Sequence, residues 1–135
     1  MTLTSFPNGL KVGGFAVPDG ATITVGAEAA NSINVAVQLL DGAGDALATR
    51  AGIMAYLSDD ANGDSVAGTA PDGNVAIGTD GVLIPVVADK AFYLISEADG
   101  DIDLDIGETG GDTWYLVLVM PSGELVVSGA ITFAA

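Results

Sequence analysis

Two groups of acidic residues have the composition and spacing that cation binding requires. Asp60, Asn62 and Asp64 place oxygen atoms at alternate positions, as at the start of a calcium-binding loop. A complete loop would continue with a glycine and end on a glutamate, but this chain has Ser65 and Pro71 at those positions. Because the terminal bidentate ligand is missing, the pattern favours a solvated turn over a calcium site.

The second group is Asp101, Asp103 and Asp105, which alternate with apolar residues over 101–106. On an extended strand, alternate residues share one face and lie ~6–7 Å apart. Carboxylates at this distance could bind one cation together or raise one another's pKa values. The same pattern is typical of a solvent-facing strand whose charges prevent pairing with another sheet edge, and this interpretation is favoured. Asp101 and Asp103 are kept as candidate metal ligands beside the three residues of the first group.

The chain lacks the side chains on which most acid–base and nucleophilic catalysis depends. It contains no histidine and no cysteine, which excludes imidazole bases, histidine-activated nucleophiles, thiolate metal sites and disulfides. Nothing in the spacing of the carboxylates selects a catalytic pair. The sequence therefore predicts that the protein is not an enzyme and has no catalytic residue, and calcium is the only cofactor considered.

The chain is strongly acidic. Lys11, Arg50 and Lys90 are its only basic residues against 18 acidic ones, and the formal net charge is −15. Nucleic acid and anionic membrane surfaces should repel such a chain. The N-terminus has no secretory signal pattern, and the longest apolar runs, Val82–Ala88 and Trp114–Met120, are far shorter than the ~20 residues that span a bilayer. We therefore expect neither nucleic acid nor a membrane among its partners.

Short alternating runs separated by turn sequences predict an all-β protein. The predicted strands are Ala21–Val25, Ser32–Leu40, Ala46–Ser58, Val75–Ile77, Val82–Val87, Lys90–Ser96, Asp101–Ile106, Trp114–Met120 and Leu125–Phe133. Residues 21–135 are expected to form one antiparallel β-sandwich, immunoglobulin-like or alternatively a jelly roll, and residues 1–20 an extended N-terminal arm. Gly52 predicts a bulge or bend, and Pro85 predicts that its strand lies at a sheet edge or contains a bulge.

Some of these segments have more apolar surface than one buried face needs. Trp114–Met120 is apolar on both faces, which indicates either a central strand covered on both sides or a strand whose outer face a partner covers. Tyr56, Phe92 and Tyr93 allow the same two interpretations.

The arm also carries apolar side chains that would be costly to leave in water, so we expect it to dock on another surface. An extended arm can lie along a neighbouring subunit or add a strand to its sheet edge. The predicted partner contacts are Leu3, Phe6, Leu10, Lys11 and Phe15.

Three segments resemble bacterial and phage immunoglobulin-like modules: Ile33–Ala48, Gly78–Leu83 and Asp112–Val117. In those modules a strand and an Asp-x-x-Gly hairpin are followed by a Thr-Asp-x-Gly entry to a later strand and by an aromatic strand near the end. Here the entry sequence Thr79–Gly81 is one residue shorter. This resemblance implies a fold and no particular function.

Five segments resemble a small virion structural protein of tailed phages, of the capsid decoration or cement class. They are Val25–Asn31, Tyr56–Ser65, Ala76–Gly81, Ser96–Ile102 and Leu118–Phe133. The resemblance implies a non-catalytic protein that binds and stabilises the capsid, with the major capsid protein as its partner. It also implies a homo-oligomer, either a trimer or a dimer, on the outer capsid surface of the virion after synthesis in the host cytoplasm.

Two alternatives to capsid decoration stay open. The first is a tail, neck or fibre component of the virion, and the second is a calcium-dependent adhesion or carbohydrate-binding module. The negative charge is compatible with the outside of a shell whose interior is filled with DNA phosphate.

Overall fold

The computed structural model describes residues 11–12 and 15–135, and every regular element in that part of the chain is a β-strand. In chain order the strands are β1 (Lys11–Val12), β2 (Phe15–Ala16), β3 (Gly20–Val25), β4 (Ser32–Leu40), β5 (Gly52–Ser58), β6 (Val75–Ile77), β7 (Val82–Val87), β8 (Ala91–Ile95), β9 (Asp101–Gly107), β10 (Thr113–Val119), β11 (Leu125–Val127) and β12 (Ile131–Thr132).

The strands form two main antiparallel sheets that pack against each other. The smaller sheet has four strands in the order β3-β4-β9-β6, and the larger has six, in the order β11-β10-β5-β8-β7 with β12 also paired to β10. The two short strands β1 and β2 pair only with each other among the described residues. The predicted all-β antiparallel sandwich is therefore confirmed.

The spatial order of the strands is that of a variable-type immunoglobulin domain, in which an A-B-E-D sheet faces a G-F-C-C′-C″ sheet. The chain, however, visits three of these positions in the opposite order: β6, β7 and β8 occupy the D, C″ and C′ positions, whereas an immunoglobulin chain forms C′, C″ and then D. After β5 the chain crosses to the edge of the smaller sheet as β6, returns to the edge of the larger sheet as β7, and only then forms β8 beside β5. The strand order within each sheet is thus immunoglobulin-like, whereas the connections between β5 and β9 are not.

Inward-facing residues of both sheets form a single core. On β4 and β9 every second residue is apolar and buried, as the alternation predicts. Trp114 is the largest buried side chain, and its ring meets the Phe133 ring edge to face at a centroid distance of 6.1 Å. The Trp114 Nε1–H donates to the Thr69 carbonyl at 3.0 Å, so its polar edge is satisfied within the core.

Two predicted strands are shorter or interrupted in the structure. Within Ala46–Ser58 only the second half is a strand, because residues 46–51 carry the chain from one sheet to the other. Leu47 N–H still donates to the Leu39 carbonyl of the smaller sheet at 2.9 Å, whereas Ser96 N–H, at the end of β8, donates to Ala51 in the larger one at 2.9 Å. A segment that changes sheets cannot pair along its whole length.

The predicted strand Leu125–Phe133 is divided by Ser128 into β11 and β12. The Ser128 side chain takes over a backbone role, because its buried Oγ accepts a hydrogen bond from Leu116 N–H at 2.9 Å and donates to the Gly129 carbonyl at 2.7 Å. Both halves still pair with β10, so this interruption does not remove the segment from the sheet.

The two special residues of the larger sheet behave differently. Pro85 lies on the edge strand β7, and the register shifts between Pro85 and Val87, so both predicted consequences of this proline are confirmed. Gly52 pairs with Ile95 in regular register, so the predicted bulge or bend at Gly52 is wrong.

Candidate functional site

The outer face of the smaller sheet carries the strand-borne acidic residues and is called the acidic face here. Its outward-pointing residues are Thr22, Thr24, Asn34, Ala36, Gln38, Ala76, Asp101, Asp103 and Asp105. The β4–β9 register sets Asn34 opposite Asp105 and Ala36 opposite Asp103. The three aspartates therefore share one face, as their spacing predicts.

Asp103 is held by neutral hydrogen-bond donors. The Asn34 amide donates to Asp103 and also to Asp105, the latter at 2.9 Å. Thr79 donates to the other Asp103 oxygen through its N–H at 3.0 Å and its hydroxyl at 2.8 Å. Partial burial of Asp103 disfavours its charge, but the donors of Asn34 and Thr79 outweigh this effect and lower its pKa. A carboxylate pair is thus stabilised without any basic side chain.

Asp101 is two residues before Asp103 on β9 and accepts no hydrogen bond from Asn34 or Thr79. Its pKa is raised by partial burial and then by the negative charges of Asp99, Asp80 and Asp103. Neighbouring carboxylates on one strand therefore have pKa values that are shifted in opposite directions.

The loop over 59–68 forms a turn that closes on itself. Asp60 accepts the N–H of Asn62 on its carboxylate at 2.8 Å, and its carbonyl accepts the Gly63 N–H at 2.9 Å. Asp64 lies beside Asp60, and the hydrogen bond and charge of Asp60, with some desolvation, raise its pKa. Pro71, which stands where a calcium loop would end on glutamate, is buried. The geometry is that of an Asx turn, with a main-chain donor on the Asp60 oxygen.

The predicted metal ligands divide between two distant places. Asp60, Asn62 and Asp64 lie in a loop over the larger sheet, whereas Asp101 and Asp103 lie on the outside of the smaller sheet. Within residues 16–135, no group of three or more acidic side chains is arranged to hold a metal ion. Calcium binding at these positions stays a prediction.

The outer face of the larger sheet has a different composition. None of its six strands contains an acidic or basic residue. The exposed part of this surface is called the apolar face, and it consists of Val82, Ile84, Met54, Tyr93, Ile95, Val119 and Leu125. Five of these side chains form one continuous row across the sheet, in the order Ile84, Tyr93, Met54, Val119 and Leu125.

The exposure of this row is high for large apolar side chains. Ile84 is 46% exposed, Tyr93 41% and Leu125 41%, and at the tip of β7 Val86 reaches 60%. The loop 59–68 covers only the other end of the sheet's outer surface, where Val117 is fully buried. There the Tyr56 hydroxyl donates to the Gly63 carbonyl at 2.5 Å. Half of this surface is therefore closed by the chain itself and half is left open.

Gly52 shapes the open half. A Cβ atom at Gly52 would lie 2.1 Å from the Tyr93 hydroxyl oxygen, which places the tyrosine ring flat across the glycine. The ring thereby fills what would be a depression between β5 and β8. The absence of a side chain at position 52 leaves the space that the Tyr93 ring occupies, and this is the structural role of Gly52 in place of the predicted bulge.

Two basic side chains border the larger sheet. Arg50, just before β5, lies 3.8 Å from Glu97 and donates to the Ser96 carbonyl at 3.2 Å. Lys90, just before β8, donates to the Gly68 carbonyl at 2.8 Å. These cations lie at opposite ends of β8, Arg50 beside the open half of the outer surface and Lys90 beside the loop 59–68.

The predicted arm contacts fall mostly outside the described residues. Leu3, Phe6 and Leu10 lie outside them, and of Lys11 and Phe15 the structure describes the backbone, in β1 and β2. Sequence reasoning did not single out the apolar face as a whole. The signal for it was present, because β5, β7, β8, β10 and β11 are apolar at outward positions as well as inward ones.

Comparisons with known proteins do not add to this geometry. No protein-family model matches the chain, and a search of curated proteins returns no relative that matches it.

The described residues contain no helix with the length and hydropathy needed to cross a bilayer.

Proposed function

We propose that this protein is a non-catalytic structural component of a tailed-phage virion that binds the capsid and stabilises it. Three features support the proposal: the resemblance to phage decoration proteins, the strongly negative charge, and a sandwich with one outer surface suited to protein contact. The proposal assigns the protein no reaction and no cofactor.

The observation that carries the non-catalytic, protein-binding character of the proposal is the apolar face, while the contact with the shell itself is assigned to the N-terminal arm. Exposed apolar surface that is continuous across five strands is typical of a protein interaction site. Its backbone groups are already paired within the sheet, so the surface offers side-chain packing rather than hydrogen bonds. On the acidic face, Asp103 accepts hydrogen bonds from the Asn34 amide and the Thr79 hydroxyl, which is the setting of a structural carboxylate rather than of a general acid or base.

The charge distribution agrees with a position outside a DNA-filled shell. At a net charge of −15 the protein is repelled by packaged phosphate, whereas on the outer surface it faces solvent. Decoration of a lattice also needs little affinity per contact, since many weak contacts act together through effective concentration. In this proposal the arm residues Leu3, Phe6, Leu10, Lys11 and Phe15 supply contacts to the major capsid protein.

The test is the copy number of this chain in purified virus particles from its source, measured by quantitative mass spectrometry against the major capsid protein. A fixed ratio to the capsid subunits, with hundreds of copies, is expected for decoration. A handful of copies would assign the protein to the tail or neck instead, and complete absence from particles would overturn a virion role.

A second measurement tests the arm. A full-length variant with Leu3→Ser, Phe6→Ser and Leu10→Ser should lose occupancy on shells that lack the wild-type protein, because the apolar contacts are removed. Unchanged occupancy would contradict the assignment of the shell contact to the arm.

A further inference from the structure

We propose that the apolar face is the surface by which copies of this chain associate, the face of one copy packing on the same face of another. The proposal goes beyond capsid binding, because it assigns a contact between copies to named residues and is tested on the protein alone. It leaves the shell contact to the N-terminal arm.

The first argument is shape. The row from Ile84 through Met54 to Leu125 is in register across five strands, and the Tyr93 ring lies flat over Gly52. An apolar sheet face can pack on a second copy of itself, since the side chains of two such twisted faces interdigitate ~10 Å apart, as the inner faces of a sandwich do. An association of this kind is isologous, with the same residues on both sides.

The second argument is charge. All 18 acidic residues lie outside the six strands of the larger sheet. In a face-to-face pair, three sheet-to-sheet spacings of ~10 Å separate the two acidic faces, about 30 Å in total. This exceeds the ~8 Å Debye length at physiological ionic strength, so the acidic faces do not repel each other appreciably. Contact through any other described sheet face would bring carboxylates together.

The edge of the interface carries the remaining repulsion. Glu97 and Glu124 lie in turns that border the apolar face, and Arg50, 3.8 Å from Glu97, offsets part of this charge. Self-association should therefore strengthen as salt is added, because salt screens the border while leaving apolar packing intact. A basic partner would show the opposite salt dependence.

The size of the face sets how strong the contact can be. Five strands ~4.8 Å apart and about 15 Å of exposed strand length give roughly 350 Å² per copy, or about 700 Å² for two. Val86 and Val87, 60% and 50% exposed at the tip of β7, extend this area. Specific stable interfaces bury at least ~1,200 Å², so this contact belongs to the weak class and the dissociation constant should be micromolar or higher. Such a contact suits a protein that is concentrated on a lattice.

The experiment is sedimentation velocity on the full chain at up to ~100 µM protein, in about 50 mM and about 500 mM sodium chloride. The wild type should dimerise, with a dissociation constant at least ~3-fold lower in the higher salt. The double variant Ile84→Lys and Leu125→Lys should remain monomeric in both salts. Lysines are chosen because they make the net charge less negative, so a loss of association cannot result from greater overall repulsion.

The matched control is Thr22→Lys with Ala36→Lys, which makes the same charge change at exposed strand positions of the acidic face. It should associate at least as well as the wild type. Thermal unfolding of both double variants verifies that each is folded.

Two results would overturn the proposal. The first is a wild type that stays monomeric at the highest protein and salt concentrations. The second is an oligomer that the Ile84→Lys and Leu125→Lys variant leaves intact. If the wild type is monomeric and the face variant also loses capsid occupancy, the face is assigned to the shell, and capsid binding itself still stands.

Discussion

The acidic face and the apolar face are the outer surfaces of the same sandwich, but their strands have different residue patterns. On β4 and β9 polar and apolar residues alternate, so one side of the sheet is core and the other is adapted to water. On β5, β8 and β10 both sides are apolar, and the core side alone accounts for only half of that hydrophobicity. The difference is that the smaller sheet presents a polar face to water, whereas part of the larger sheet presents large apolar side chains to water.

The larger sheet already has a partial cover of its own. Where the loop 59–68 lies across it, Val117 is as buried as a residue of the core, whereas Val119, two residues along β10, is only half-buried. The comparison within one strand shows what a partner would do for the open half. Three predictions test this contrast between the faces.

The largest expected effect is at Val117. We expect Val117→Asp to lower the free energy of unfolding by about 3–5 kcal/mol, because it places an unpaired charge under the loop. Ala36→Asp, the same charge at an exposed position of the acidic face, should cost less than about 1 kcal/mol. Urea unfolding of both variants measures the difference. Equal losses would contradict the inference that the loop creates a second buried layer.

The next largest effect is expected at Asp103, whose carboxylate accepts hydrogen bonds from Asn34 and Thr79. Asp103→Asn should lower the free energy of unfolding by about 1 kcal/mol at pH 7, since charge-assisted hydrogen bonds from Asn34 and Thr79 are weakened. The pKa of Asp103 is lowered in the folded state, so its stabilisation is present at pH values above the unfolded pKa and is lost as the pH falls through the folded pKa. The free energies of unfolding of the variant and the wild type, measured in urea, should therefore converge as the pH falls through the folded pKa of Asp103. A difference that is independent of pH would contradict this role of its charge.

The smallest effect has the opposite sign. Asp101→Asn should raise the free energy of unfolding by about 0.5 kcal/mol at pH 7, because it removes a partly desolvated charge and its repulsion by the neighbouring carboxylates. The pKa of Asp101 is raised in the folded state, so its ionised form opposes folding at neutral pH, and this penalty disappears as the pH falls through the folded pKa.

The same urea measurements locate the two titrations. The advantage of Asp101→Asn should vanish at a higher pH than the disadvantage of Asp103→Asn, because the two pKa values are shifted in opposite directions. A destabilising Asp101→Asn would mean that the carboxylate makes a favourable contact that outweighs the repulsion.

Much of the fold could be predicted from local pattern. The strands Ser32–Leu40, Val75–Ile77 and Val82–Val87 have the predicted bounds, and the edge position follows from Pro85. Ala46–Ser58 and Leu125–Phe133 were predicted too long. In both, the residues have strand-like composition throughout, but the interruption depends on a distant partner: the change of sheets in one and the Ser128 hydrogen bond to Leu116 in the other.

The candidate surfaces were predicted only in part. That Asp101, Asp103 and Asp105 share a face follows from the twofold repeat of a strand, which is a local property. Asp103 differs from Asp101 because it accepts a hydrogen bond from Asn34, which lies 69 positions away in the sequence. No local pattern contains that pairing.

By itself, the sequence determined the strand class, the core side of the strands in which polar and apolar residues alternate, and the absence of histidine and cysteine chemistry, because these depend on residue type and a period of two. The tertiary structure alone decided which outer face is covered. It did so by bringing the loop 59–68 over one end of the larger sheet and leaving Ile84, Tyr93 and Leu125 exposed at the other. Burial on the outside of a sheet depends on what folds back over it, and that is set by contacts between segments that are distant along the chain.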